Sequence, residues 1–208
     1  MNRAAEPHET HEATNAPPLV DEPLPLELVN TTYVKGGSRG SAVDALRVPR
    51  DLDKWLELRS DDFDPALAAA LRDAYPADDE HVNKFRDLRQ ALRALFSART
   101  GGTAPGAAAV ELVARAARLS ASWDEFHPAD PSAVLRRWLE ADPHLAALGV
   151  VAQEGVHLLT SATAAKLRAC SAPGCMLYFI KSHPRREWCT VSCGNRVRVA
   201  RHSRRAAR

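Results

Sequence analysis

A chain of 208 residues that is 45% hydrophobic and 26% charged has enough apolar material for one or two globular cores, and is neither collagen-like, coiled-coil nor wholly disordered. No stretch reaches the ~18 apolar residues of a membrane span, and the first twenty residues hold no apolar block like that of an export signal, so the expectation is a cytoplasmic protein with no membrane contact. The net charge of +2 hides an uneven distribution: residues 1–165 carry 17 Lys and Arg against 25 Asp and Glu, a net −8, while residues 166–208 carry 11 against Glu187 alone, a net +10. A segment so basic repels itself unless it meets a polyanion.

Residues 1–20 have no periodic apolar pattern and read as a disordered tail, in which His8 and His11 are a solvated pair. Leu24 to Thr32 suits a short strand as well as a helix start. Gly36, Gly37 and Gly40 mark a flexible turn, and without a following Gly-Lys-Ser they are no phosphate cradle. Helices are then predicted over 51–58, over 66–75 after the Asp64-Pro65 cap, over 79–100 and over 107–120. Asp130-Pro131 predicts another running through Val134, Leu135, Trp138 and Leu139. A short turn from Pro143 to Gly149 precedes the last, over 156–168. The clearest is 79–100, where Val82, Phe85, Leu88, Leu92, Leu95 and Phe96 form one stripe; Arg86, Asp87, Arg89 and Arg93 read as its solvated side. Residues 21–164 thus make a helix-rich domain large enough to fold alone.

All four cysteines fall in the basic segment. Cys170 and Cys175 bracket a turn containing Pro173 and Gly174, and Cys189 and Cys193 are spaced to meet across the first turn of a helix. Leu177 to Ile180 is β-prone and His183-Pro184 is a turn, which reads as a hairpin between the pairs. Zinc is favoured over disulfides in a reducing compartment. Two close pairs of thiolates suit one tetrahedral ion, and a fully cysteinyl set leaves no open position for catalytic water, so the ion is structural. A module of about forty residues buries too little to hold itself together, whereas structural zinc contributes ~10–16 kcal/mol in comparable ones. His183 and His202 are spare. In a helix starting near Val191, Cys193, Val197 and Ala200 face inward, Arg198, Arg201 and Arg205 share an outer stripe, and Arg196 and Arg204 flank it. Such a stripe suits phosphate oxygens and guanine edges of double-stranded DNA.

Trp188-Cys189-Thr190-Val191-Ser192-Cys193-Gly194-Asn195-Arg196, with Cys170 and Cys175 before it and basic residues after it, resembles the CGNR zinc finger of bacterial proteins. Leu26-Glu27-Leu28-Val29-Asn30-Thr31, Asp44-Ala45-Leu46, Asp51 to Leu56 and Phe85-Arg86-Asp87-Leu88-Arg89 resemble the ABATE domain that accompanies it. The resemblance implies an α+β chain, a helix-rich domain over 21–164 followed by a treble-clef-like finger (knuckle, β-hairpin, helix) over 165–208. It implies a stress-related transcription regulator rather than an enzyme, with Cys170, Cys175, Cys189 and Cys193 on one zinc, Asn195, Arg196 and the following arginines on or beside the DNA-contacting helix, and a first domain that senses an effector or mediates assembly. A homodimer would extend the few base pairs that one short helix reads. The chain departs from the family pattern at Ile180, where an Asp is usual, and at Glu187, where an Arg is usual.

Asn30 and Thr31, polar beside apolar neighbours, are the sequence's candidates for contact with a small-molecule effector, and Trp55, Trp123 and Trp138 for lining a cavity. Two other readings stay open: a finger that docks on an acidic protein surface, and an enzyme whose finger only holds it together.

Overall fold

The computed structural model describes residues 21–206; the tail over 1–20 lies outside them. Pro23 and Pro25 start a short helix, α1 (Leu24–Asn30), since proline needs no N–H partner in a first turn. A hairpin follows, β1 (Thr32–Lys35) paired antiparallel with β2 (Ser41–Asp44) through the glycine turn. Next come α2 (Pro49–Leu58), α3 (Pro65–Asp73), α4 (Asp79–Gly101) and α5 (Ala107–Ala117). Their starts follow their capping residues: Asp64 accepts from Ala66 N at 2.9 Å, and Asp78 and His81 bond reciprocally across the first turn of α4. Gly102, at φ 69°, ends α4 in the left-handed conformation.

The remaining helix predictions need correcting. No helix follows Asp130-Pro131. Residues 122–138 form a hairpin, β3 (Ser122–His127) with β4 (Asp130–Trp138). Asp130 caps the turn instead, taking the Ser132 N–H at 3.0 Å, a use of Asp that mimics a helix N-cap over its first residues. Cross-strand partners Asp124 and Arg136 then meet in a two-bonded ion pair at 2.7 and 2.8 Å. The turn expected at Gly149 is likewise absent, because Gly149 lies inside the 18-residue α6 (Pro143–Thr160). The glycine is there for space: a Cβ would come within 2.3 Å of Ser120 N. Helix α6 also ends at Thr160, eight residues before the predicted end, where Ser161 caps a tighter 3-10 turn.

The core is built on α4, whose Phe85, Leu88, Leu92 and Phe96 are fully buried. It packs α1, α5 and the small-residue face of α6, Ala147, Val151 and Ala152. Of the side of α4 expected to be solvated, Asp87 is exposed and Arg86 partly so, but Arg89 and Arg93 are drawn inward. Arg89 is buried and holds Asp44 through bonds of 2.6 and 2.7 Å. Arg93 donates to the carbonyls of Val29 at 2.5 Å, Thr32 at 3.2 Å and Met176 at 2.9 Å. Carbonyls at the end of α1 lack intrahelical partners, and a long guanidinium from the neighbouring helix supplies them.

The chain ends in a hairpin, β5 (Leu167–Ala169) with β6 (Tyr178–Ile180), and α7 (Val191–Ala206). The hairpin encloses the Cys170–Cys175 turn instead of following it: Tyr178–Ile180 pairs backward, not across His183-Pro184. No helix among the described residues is long and apolar enough to cross a membrane.

Expected outcome: Gly149→Val overfills the α6 contact with Ser120 and lowers stability by about 1–3 kcal/mol, read as a lower urea midpoint with an unchanged slope.

Candidate metal centre and basic helix

The β5–β6 turn presents Cys170 and Cys175, and the start of α7 presents Cys189 and Cys193. All four sulfurs lie within 4.8 Å of one another. Cys175 Sγ is 3.7 Å from both Cys189 and Cys193 Sγ, and Cys189 is 3.2 Å from Cys193. A tetrahedron of ~2.3 Å metal–sulfur bonds has edges of ~3.8 Å, so the spacing fits one ion with slight adjustment; a disulfide would need ~2.05 Å. Hydrogen bonds from Cys175 and Cys189 hold the Cys170 thiol far below its ordinary value, and the same sulfur contacts push Cys175 and Cys189 up. Neighbouring thiolates suppress one another's ionisation unless a cation sits between them. The donor set therefore fits a single structural zinc, held by Cys170, Cys175, Cys189 and Cys193, which when bound supplies charge neutralisation and a cross-link.

A small apolar core supports the site. Cys170, Cys189, Cys193, Leu177, Phe179 and Val197 pack together, joined by Tyr33 from β1. Trp188 lies over the first turn of α7, where a Cβ on Gly194 would come within 2.9 Å of its ring. That contact explains glycine after the fourth cysteine.

Of the residues expected to face DNA, Asn195, Arg198 and Arg201 are exposed on α7, and Arg198 bonds the Asn195 side chain. The side chains of Arg204 and Arg205 lie outside the described residues. Arg196 turns inward, against that expectation. Its guanidinium donates to Cys193 Sγ at 2.8 Å and its stem lies over Gly37 of the β1–β2 turn. Four thiolates and one divalent ion leave a net −2, and Arg196 sits where it offsets part of that charge. Helical spacing carries the signal: Arg196 stands three residues after Cys193 and four before Ala200, on the inward side of α7.

Asn30 and Thr31 are also placed. Both are buried, and the Asn30 amide copies a strand neighbour: Oδ1 accepts the Tyr178 N–H at 3.0 Å and Nδ2 donates to the Tyr178 carbonyl at 2.9 Å. Thr31 Oγ1 donates to Leu28 O at 2.7 Å and accepts from Arg89 at 2.9 Å. Their polar groups are spent inside the protein, tying α1 to β6. Trp55 is buried edge-on to Phe85, while Trp123 and Trp138 stand on the β3–β4 hairpin. A cleft of about 490 Å³ is lined instead by Asp53, Leu56, Leu71, Arg72, Tyr75 and His144 with their neighbours.

A second tie crosses from the segment before α1. Glu22 accepts the Ile180 N–H at 2.9 Å and the Arg186 guanidinium at 2.6 Å, and Arg186 stacks over Phe179 at 4.9 Å. Burial raises the Glu22 carboxyl above its ordinary value, and those two partners oppose it. Glu187, the neighbour that departs from the family pattern, is exposed.

Fold and site together define a helix-rich domain bearing a four-cysteine zinc finger. Residues 22–162 match the ABATE family, whose description reads "putative stress-induced transcription regulator", and residues 166–206 match the CGNR zinc finger. The chain belongs to the ABATE family. No curated protein gives a significant match.

Arg196→Met keeps the stem and removes the donor. Zinc affinity is expected to fall ~10–100-fold in chelator competition; an unchanged affinity would assign Arg196 to packing alone.

Proposed function

We propose that the chain is a DNA-binding transcription regulator in which the zinc-held α7 contacts double-stranded DNA and the ABATE domain senses an effector or mediates assembly. The distribution of charge carries the reading: a net +10 follows a net −8, and the excess includes exposed Arg198 and Arg201 on a helix fixed by the metal centre. Lys35 and Arg39, both exposed, flank the glycine turn on which Arg196 rests, so the first domain extends the basic surface. Guanidinium groups on one rigid face suit phosphate and guanine recognition. Arg196, in this reading, orients the helix and is not itself a base contact. The 490 Å³ cleft is a better place for an effector than Asn30 and Thr31, whose bonds are already made. The family description as a transcription regulator supports the same conclusion, and the reading makes the protein a regulator rather than an enzyme.

Affinity for duplex fragments should fall with salt at a log–log slope of about 0.9 per phosphate neutralised, so about five contacts imply a loss of ~10²–10³ for a fourfold rise in salt. Arg198→Ala with Arg201→Ala should lower both affinity and slope while leaving zinc content intact. A flat salt response, or a double variant that binds like the parent, contradicts the reading.

A further inference from the structure

We propose that His81, Asp142 and His144 form a second metal site, apart from the four cysteines, for a borderline divalent transition-metal ion such as Co²⁺, Ni²⁺ or Zn²⁺. The starts of two helices meet here. Asp142 is the N-cap of α6 and His144 its second residue, while His81 lies in the first turn of α4. One ligand atom from each of the three lies within 4.8 Å of the others, and the rings of His81 and His144 are 4.7 Å apart. His144 is buried and His81 partly so. Both line a second cleft of about 490 Å³, shared with Asp142, Tyr75 and Pro76, which gives an ion a path from solvent.

The two oxygens of Asp142 have separate partners. Oδ1 caps α6, accepting the N–H groups of His144 at 2.8 Å and Leu145 at 3.3 Å. Oδ2 faces His81 Nε2 at 2.8 Å and is the oxygen open to a metal. Burial works against the Asp142 charge, but hydrogen bonds from His81 and from those backbone groups outweigh it and hold the carboxyl below its ordinary range. The aspartate is thus an anion ready to ligate.

His81 has a carboxylate within hydrogen-bond reach of its other nitrogen, and His144 has one at longer range. His81 Nδ1 is 2.9 Å from Asp78 Oδ1, and His144 Nε2 is 3.6 Å from Asp53 Oδ1. A carboxylate behind a ligating imidazole fixes its tautomer and raises its basicity. His81 Nδ1 accepts the Asp78 N–H at 3.1 Å. An ion at Nε2 moves the ring proton to Nδ1, which then donates to Asp78 Oδ1; the released N–H belongs to an exposed residue and turns to water.

Charge also favours a cation. Among the described residues the ion pairs of Asp53, Asp78 and Asp142 are to these two histidines alone. Three carboxylates thus face two helix N-termini of about half a positive charge each and the more distant Lys84, which leaves the balance of fixed charge negative. Two imidazoles and one carboxylate with open positions suit a borderline metal rather than Ca²⁺ or Mg²⁺.

The test adds Co²⁺ at pH 7.5 to the untagged full chain already carrying zinc. One further equivalent should bind and give weak visible bands without the intense near-ultraviolet sulfur-to-cobalt absorption of a thiolate site. His81→Gln, which keeps a residue suited to the reciprocal cap, and His144→Gln should each weaken that equivalent at least tenfold while one zinc per chain is retained. Co²⁺ should raise the melting temperature of the parent and not of the variants. No binding of a second ion, or binding and melting shifts equal in parent and variants, would overturn the assignment. The assay does not involve DNA, so its failure and that of the regulatory reading are independent.

Discussion

Four sulfurs within 4.8 Å of one another cannot all be anionic unless a cation lies among them. Around that constraint the end of the chain is organised: the turn that presents one pair, the helix start that presents the other, and the five further buried side chains packed with them. Bonding to zinc converts mutual repulsion into a cross-link, and fixes the direction of α7 with it. Arg196 then has a reason to face inward, since a buried four-thiolate centre keeps excess negative charge that a guanidinium can share.

The centre does not stand alone, because the two domains exchange core residues. Leu167 and Tyr178 of the finger belong to the core of the helical domain, and Tyr33 of that domain belongs to the core of the finger. Polar ties run the same way: Asn30 pairs with the Tyr178 backbone, Arg93 reaches Met176 and Glu22 holds Arg186. A boundary that is clear in charge and composition is therefore welded in packing. A change in the helical domain that moved α1 or α4 would act directly on the strands that carry the zinc turn.

The cysteine centre was legible because its chemistry is local: residue type and spacing alone specify two chelating turns. The helices with apolar stripes and aspartate caps were legible for the same reason. What misled were residues with two uses. Asp130-Pro131 starts a turn as well as it starts a helix, and only pairing with 122–127 decides. Gly149 breaks a helix in isolation but fits one where a neighbour's backbone comes close. Arg89 and Arg93 look solvated beside their stripe until α1 and the finger cover them. Asn30 and Thr31 were rightly singled out as polar groups in an apolar setting, yet their partners lie 148 residues away and on a neighbouring helix, where no local pattern shows them. No local pattern marks the His81, Asp142 and His144 cluster, because His81 is 61 residues from Asp142 and each member looks like an ordinary residue of a helix start.

X-ray absorption at the zinc edge, on the full chain loaded to one zinc, tests the central claim most directly. Four sulfur scatterers at about 2.3 Å, and loss of the finger's folded signals once the ion is chelated, are the predicted result. Nitrogen or oxygen in that shell, or a finger that stays folded after the metal has gone, would contradict it.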